Sequence, residues 1–161
     1  MNHKVNIYSN FNTLAHSFLQ EPKVNLTFLP ENLTDVQDSA KFIYSETTTD
    51  LRKVFKLNNI VIDYLTNDKP ILRGRKSADW VGPTLFIGFS ILTDNSTLIN
   101  VSLNLLSNYL HDFFKGTISN KKVKFDIIIE IERNKEFQKV TYEGTVEGIK
   151  ELAEVIKELK K

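Results

Sequence analysis

The segment from residue 84 to residue 144 constrains the fold most, because its hydrophobic spacing changes repeatedly. Residues 84–92 (TLFIGFSIL) are apolar at both alternating positions, as in a strand that is covered on both faces of a sheet. Residues 97–115 then follow helical spacing, and residues 123–132 return to a period of two. A strand, a crossover helix and a second strand make a βαβ unit, whose strands are normally parallel and whose crossover is nearly always right-handed.

The chain after this unit predicts a β-hairpin and a C-terminal helix. Residues 133–136 form the turn of the hairpin, and residues 137–142 return antiparallel to the preceding strand. Residues 146–159 are apolar at helical spacing, with Lys and Glu on the opposite face, as in an ordinary solvated helix. One face of the first hairpin strand is apolar throughout, being formed by Val123, Phe125, Ile127, Ile129 and Ile131.

The chain before the unit predicts shorter elements. Asn10 can cap a short helix that ends at Pro22, and alternation over residues 24–28 predicts a strand buried on one side. Thr49 or Asp50 can cap a helix, which Asn58 and Asn59 close in a left-handed conformation. Further strands are predicted at residues 41–45, 60–65 and 70–73, the last of them antiparallel. Residues 73–83 are predicted to be an irregular loop, in which Gly82 and Pro83 turn the chain into the central strand.

These elements together predict an α+β or α/β fold built on a mixed sheet. Strands 84–92 and 123–132 are expected to be parallel and to be flanked by antiparallel strands 60–65 and 137–142. The long helix and the C-terminal helix are expected to cover the sheet. A chain of 161 residues suits one domain, with residues 1–46 as a looser N-terminal subdomain in the alternative view.

The composition narrows the classes of function. The chain has no Cys, which excludes disulfides, thiolate nucleophiles and Cys-ligated metal centres. Its 21 basic and 20 acidic residues give a net charge of +1, which argues against a broad face for nucleic acid or an anionic membrane. The N-terminus has no signal-like apolar region, and no apolar run approaches the roughly 18 residues of a membrane span. A soluble cytoplasmic protein without membrane contact is therefore expected.

The loop at residues 73–80 carries the densest polar chemistry in the chain. Three cations, a hydroxyl and an indole lie close together there and can hold a phosphate or a nucleotide base. In the competing interpretation Trp80 anchors the loop in the core, and the cations are solvated or paired with Asp79. The glycine spacing matches neither nucleotide-binding motif, so support for nucleotide binding is weak. The residues of this basic loop are Arg73, Arg75, Lys76, Ser77 and Trp80.

Other polar groups predict no catalytic residue, metal ligand or cofactor. Residues 93–97 precede the long helix, where they can hold an anion, but side-chain capping is the favoured explanation. His111 and Asp112 are adjacent and diverge by about 100° on a helix, so they do not share a ligand. Asp126 and Glu130 share the polar face of a strand and are predicted to pair with lysines across the sheet.

The long helix carries a stripe of neutral polar residues at steps of three and four. Protein interfaces are depleted in Lys and Glu at their centres, and short amide side chains lose less entropy when they become ordered. The stripe is therefore predicted to pack against another copy of the chain or a partner subunit. Alternatively, the N-terminal segment of the same chain covers it, for example with residues 24–28. The stripe consists of Asn100, Asn104, Ser107, Asn108 and His111.

Three functions are ranked on these grounds. A small non-catalytic binding or adaptor module, acting through protein–protein contacts with a partner or as a homo-oligomer, comes first. An anion-binding or nucleic-acid-binding protein that uses the basic loop comes second. An enzyme with an unrecognised active site comes third, because no spacing in the chain brings a nucleophile, base or metal-ligand set together.

Overall fold

The computed structural model describes residues 3–8, 26–74, 80–116, 122–132 and 136–159. These residues form an α+β fold with a mixed six-stranded sheet and a separate two-stranded sheet. The larger sheet has the order β1-β8-β7-β6-β2-β4 and the smaller one pairs β3 with β5. The strands are β1 (His3–Tyr8), β2 (Leu26–Leu29), β3 (Ile43–Ser45), β4 (Asp63–Tyr64), β5 (Ile71–Arg73), β6 (Trp80–Ile87), β7 (Val123–Glu132) and β8 (Glu136–Gly144).

The helices of the described residues pack against one another beside the sheet. α3 contacts α1, α4 and the 3-10 turn that begins the C-terminal helix, so the long crossover helix lies at the centre of the helical layer. Asn59 closes the first helix with φ of 62°, as predicted. The α-helices are α1 (Thr48–Leu57), α2 (Phe89–Asp94), α3 (Thr97–Phe113) and α4 (Leu152–Glu158). A 3-10 turn (Ser39–Lys41) precedes β3, and the C-terminal segment begins with a 3-10 helix (Glu147–Glu151).

The predicted βαβ unit and hairpin are confirmed. β6 and β7 are parallel, with Leu85 opposite Ile127 and Ile87 opposite Ile129. β7 and β8 are antiparallel, with Ile127 opposite Val140. All five residues of the predicted apolar face of β7 are buried, so the parallel pair and the hairpin supply the centre of the core.

The central strand ends earlier than its apolar run predicted. β6 stops at Ile87, and the chain continues as the short helix α2 from Phe89. The backbone N–H of Phe89 donates to Oε1 of Glu130 at 2.7 Å. A short apolar run does not distinguish a buried strand from a buried helix by its period, so the apolar pattern did not show where the strand ends.

The two acidic residues of β7 have different surroundings. Nζ of Lys139 lies 3.8 Å from Oδ2 of Asp126, which is the predicted ion pair across the sheet. Glu130 is buried and does not lie on an exposed polar face as predicted. The polar face of β7 is therefore interrupted, because Ile128 and Glu130 are covered between the partly exposed Asp126 and the exposed Glu132.

The neighbours of the central strand also differ from the prediction. The antiparallel neighbour of β6 is β2, whereas the predicted neighbour, strand 60–65, is reduced to β4 and pairs parallel with β2 at the edge. Both Thr27 and Phe28 are buried, so β2 is covered on both faces and not on one. β5 pairs parallel with β3, not antiparallel. Residues 9–25, with the helix predicted after Asn10, lie outside the described residues.

Gly82 and Pro83 lie inside β6 and do not form a turn before it. The pairing of β6 with β7 is irregular between Val81 and Thr84, which is the position of a β-bulge. A Cβ atom at Gly82 would overlap ring carbons of Trp80. Glycine is therefore required here by the close approach of a buried indole.

Replacing Gly82 by alanine should lower the free energy of unfolding by about 1–3 kcal/mol, because the added methyl group forces the Trp80 ring out of its packed position. Chemical denaturation measures this loss. In a Trp80→Phe background, whose smaller ring leaves room for the methyl group, the same substitution should cost less, and the double-mutant cycle reports the difference. Equal costs in both backgrounds would show that the ring does not impose glycine at position 82.

Candidate functional site

The solvent-facing side of α3 is formed by neutral side chains from Thr97 to Leu110, before the exposed Asp112. No residue from Thr97 to Leu110 is charged, and Asn104 and Asn108 are exposed on this side together with Val101. We call Val101, Asn104, Asn108 and His111 the amide face. By contrast, the 3-10 helix and α4 are covered by Glu and Lys, as expected of a surface that meets only water.

The predicted polar stripe is only partly exposed. Asn104, Asn108 and His111 lie on the surface, and Asn100 is partly buried. Ser107 is fully buried, and its hydroxyl donates to the carbonyl of Val146 at 3.4 Å. Ser107 therefore contacts the start of the C-terminal helical segment within the same chain and does not belong to the exposed surface.

His111 marks the border between the amide face and the C-terminal segment. Its Nε2 atom lies 3.9 Å from Oε1 of Glu147, and both side chains are at least half exposed. The two side chains form an ion pair only when the imidazole is protonated. The predicted alternative, in which residues 24–28 cover the stripe, does not apply to the part of that segment within β2, because β2 lies in the sheet between β6 and β4.

The opposite border of α3 contacts α1. The hydroxyl of Tyr109 donates to Oδ2 of Asp50 at 3.3 Å. Burial, followed by the nearby Asp50 carboxylate, raises the pKa of Tyr109 to about 12. The ring of Phe113 lies 6.0 Å from that of Tyr109 and is 55% exposed. α3 is thus held on both borders, and its amide face lies between them.

The basic loop is described only at its two ends. Arg75, Lys76 and Ser77 lie outside the described residues, as does Asp79. Arg73 is exposed at the end of β5, and Trp80 is buried in β6 with 5% of its surface exposed. This position of Trp80 is the one expected if the indole anchors the loop in the core. The anion site at this loop stays a prediction.

An acidic side chain lies against the described end of the basic loop. The carboxylate of Glu46 is within 3 Å of the place that a Cβ atom of Gly74 would occupy. The backbone N–H of Glu46 also donates to the carbonyl of Arg73 at 3.0 Å. A carboxylate at this position reduces the positive potential that an anion would meet there.

The polar segment before α3 does not cap the helix in the predicted way. Ser96, the residue before α3, has helical backbone angles, and its side chain makes no capping hydrogen bond. The N–H groups of Leu98 and Ile99 donate instead to the backbone carbonyls of Asn95 and Ser96, at 3.0 and 3.1 Å. The first turn of α3 is tightened by i to i+3 bonds, which take the place of a side-chain cap.

A groove beside α1 was not predicted from the sequence. Two depressions of about 280 and 490 Å³ adjoin there and share Arg52 and Lys56 as lining residues. One wall is the outer side of α1, and the other is the segment that leads into the edge strand β4. We call this the α1 groove, and its lining residues are Thr49, Arg52, Lys53, Lys56, Asn59, Ile60, Val61, Ile62, Asp63 and Tyr64.

Three cations face one acid in the α1 groove. Nη2 of Arg52 donates to Oδ2 of Asp63 at 3.1 Å, and the guanidinium lies 6.0 Å from the centre of the Tyr64 ring. Lys53 and Lys56 form no ion pair with any residue in the described part of the chain. The sequence pattern alone places these three cations on the exposed side of α1, opposite Leu51 and Phe55. It does not show which segment forms the second wall of the groove.

The described ranges contain neither a membrane-spanning helix nor a cluster of metal ligands. No helix there has both the length and the apolar character that crossing a bilayer requires. In the same ranges no three His, Asp or Glu side chains lie close enough together to hold a metal ion. Comparison of the chain with models of protein families, with curated proteins and with solved structures found no match.

Proposed function

We propose that this protein is a non-catalytic protein-binding module in which the amide face of α3 packs against the same face of a second copy. The observation that supports this proposal is the exposed surface of α3, which carries no charged side chain from Thr97 to Leu110. A helix face that only meets water is usually covered by Lys and Glu. The proposal includes a cytoplasmic location, since a chain without Cys needs no oxidising compartment.

The chemistry of the amide face suits a contact between identical surfaces. Each Asn side chain has both a donor and an acceptor, so Asn104 and Asn108 can pair with the same residues of another copy. A two-fold axis brings identical patches together, and such a contact requires a self-complementary surface. Lys or Glu at these positions would instead place like charges opposite each other.

The size of the amide face sets the expected strength of the contact. α3 has 17 residues and is therefore roughly 25 Å long and about 10 Å wide. A stable specific interface buries about 800 Å² per partner, which is more than one helix face of these dimensions supplies. We therefore expect a dimer that dissociates on dilution.

Replacing Asn104 and Asn108 together by Glu should abolish this dimer while the monomer stays folded. Four carboxylates would be brought together at the contact without partners, and burying unpaired charge is strongly unfavourable. Sedimentation equilibrium from about 10 μM to about 500 μM, a range that corresponds to roughly 2 kcal/mol of binding free energy, should show the native mass rising towards that of a dimer. The variant should keep the monomer mass throughout.

A matched control variant shows whether dimerisation is lost through the amide face or through the change in net charge. The pair Lys69→Gln and Lys124→Gln lowers the net charge by the same amount at exposed positions away from α3, and it should dimerise as the native protein does. A native mass that stays monomeric over the whole range would overturn self-association. Loss of the dimer in the control as well would show that repulsion between whole molecules, not the amide face, is responsible.

A further inference from the structure

We infer that the α1 groove binds an extended acidic peptide segment of a partner protein. This is a second surface, separate from the amide face, and it does not depend on the proposed dimer. The inference rests on three features of the described residues: the charge of the groove, the position of one of its walls at the edge of the sheet, and an exposed apolar side chain in the second wall.

The charge of the groove favours an acidic ligand. Arg52, which lines both depressions, is already held by Asp63 and lies near the Tyr64 ring. Lys53 and Lys56 line the groove from the same helix and form no ion pair with any described residue. The groove therefore has two more positive than negative side chains, and carboxylates from a partner would complete the pairing.

The second wall of the groove is suited to an extended backbone. Five consecutive residues, 59–63, line the larger depression, and they lead directly into β4 at the end of the six-stranded sheet. β4 pairs with β2 on one side, and no described strand pairs with its other side. An exposed sheet edge accepts a peptide as an additional strand, with side chains alternating between the protein and solvent.

Exposed apolar side chains in and beside the groove favour a peptide over a phosphate-rich ligand. Val61 lines the groove and is 86% exposed, and Leu57 at the end of α1 is 83% exposed. The segment alternates between buried Ile60 and Ile62 and exposed Val61 and Asp63, which is the alternation of an extended chain. Branched aliphatic side chains beside cations match a ligand that alternates acidic and apolar residues. A polyphosphate has no apolar group that could pack against an exposed valine.

The probe is a fluorescein-labelled peptide of about ten residues that alternates Glu and Val and spans roughly 33 Å when extended. Fluorescence anisotropy should show saturable binding to the native protein.

Replacing Lys53 and Lys56 together by Glu should weaken this binding by about tenfold or more, because two attractive pairs become repulsive. Val61→Ser should weaken it by roughly threefold or more through the loss of an apolar contact. Raising NaCl from about 50 to 300 mM shortens the Debye length from about 13 to 6 Å and should also weaken it.

Matched controls separate the effect of the groove residues from the effects of net charge and of unfolding. The pair Lys124→Glu and Lys150→Glu changes the net charge equally at exposed positions outside the groove, and it should bind the peptide as the native protein does. A peptide alternating Glu and Ser should bind more weakly than the Glu and Val peptide. Thermal unfolding of each variant establishes that it is folded before binding is measured.

Three results would overturn the inference. A labelled peptide whose anisotropy does not change up to millimolar native protein excludes the site. Equal losses in the groove pair and the control pair show that binding follows net charge alone. Tighter binding of single-stranded DNA or polyphosphate than of the peptide, unaffected by Val61→Ser, assigns the groove to phosphate chemistry. The dimerisation measurement uses other residues, so its failure leaves this test unchanged.

Discussion

Phe86→Ala should lower the free energy of unfolding by about 3–5 kcal/mol, the range for removing a fully buried aromatic ring that leaves a cavity. Phe86 has no exposed surface and lies in β6, opposite Ile128 of β7 and Thr27 of β2. Its ring centre is 6.2 Å from that of Phe137. With paired strands on both sides, the backbone around this position has little freedom to collapse into the space that the ring leaves.

Urea or guanidinium denaturation at constant slope measures this loss of stability. Phe113→Ala is the matched control, because it removes the same side chain from a position that is 55% exposed, and it should cost less than about 1 kcal/mol. Ile87→Ala should cost about 2–5 kcal/mol, because Ile87 is buried in the same central strand. Phe89, which belongs to the same apolar run, lies in α2 and is partly exposed, so its replacement should cost less. Equal midpoints for Phe86→Ala and Phe113→Ala would mean that β6 is not central.

The free energy of unfolding should fall steeply as the pH rises from about 10 to about 12, because two tyrosines that are buried in the folded state ionise more easily in the unfolded chain. Burial is the main cause that raises the pKa of Tyr44 and of Tyr142, each from 10.0 to about 12. Both side chains are almost fully inaccessible. The hydroxyl of Tyr142 also donates to the carbonyl of Thr145 at 2.5 Å, and ionisation of the phenol removes this hydrogen bond.

The sign of the effect follows from the direction in which burial moves the pKa. A pKa that is raised in the folded state means that the unfolded chain loses its phenolic proton first, so the unfolded state is favoured progressively above pH 10. The stabilisation is fully present below that pH and is lost by about pH 12. For each of the two buried tyrosines, the difference in pKa between the folded and unfolded states corresponds to about 2–3 kcal/mol. Tyr109, which is partly exposed and whose pKa is also raised to about 12, should add a smaller loss of the same sign.

Denaturant titrations at pH values of about 9, 10, 11 and 12 measure this dependence, and ultraviolet absorbance follows the phenolates. The matched comparison is the variant with Tyr44→Phe and Tyr142→Phe, which keeps both rings but has no phenol to ionise at either position. Its stability should decline less over the same range, although it starts lower because the hydrogen bond to Thr145 is missing. Parallel pH profiles for the variant and the native protein would contradict the assignment.

The elements with the longest periodic patterns were determined by the sequence alone. α3, β7 and β8 follow from the spacing of apolar residues, because a long amphipathic pattern has one conformation that buries all of it. The parallel pairing of β6 with β7 followed in turn from the crossover helix between them. The left-handed turn at Asn59 was predictable for a local reason, since Asn tolerates positive φ better than other side chains.

Contacts between distant segments decided the rest. At the end of β6, Glu130 of β7 accepts a hydrogen bond from the N–H of Phe89. β2, and not β4, lies beside β6. Both features involve residues that are far apart in the sequence. The polar stripe on α3 was visible in the sequence, but the burial of Ser107 against Val146 was not. The α1 groove exists only because residues 59–63 return beside the cations of α1. Periodicity specifies which face of an element is buried, whereas the partner that buries it is selected by packing across the whole chain.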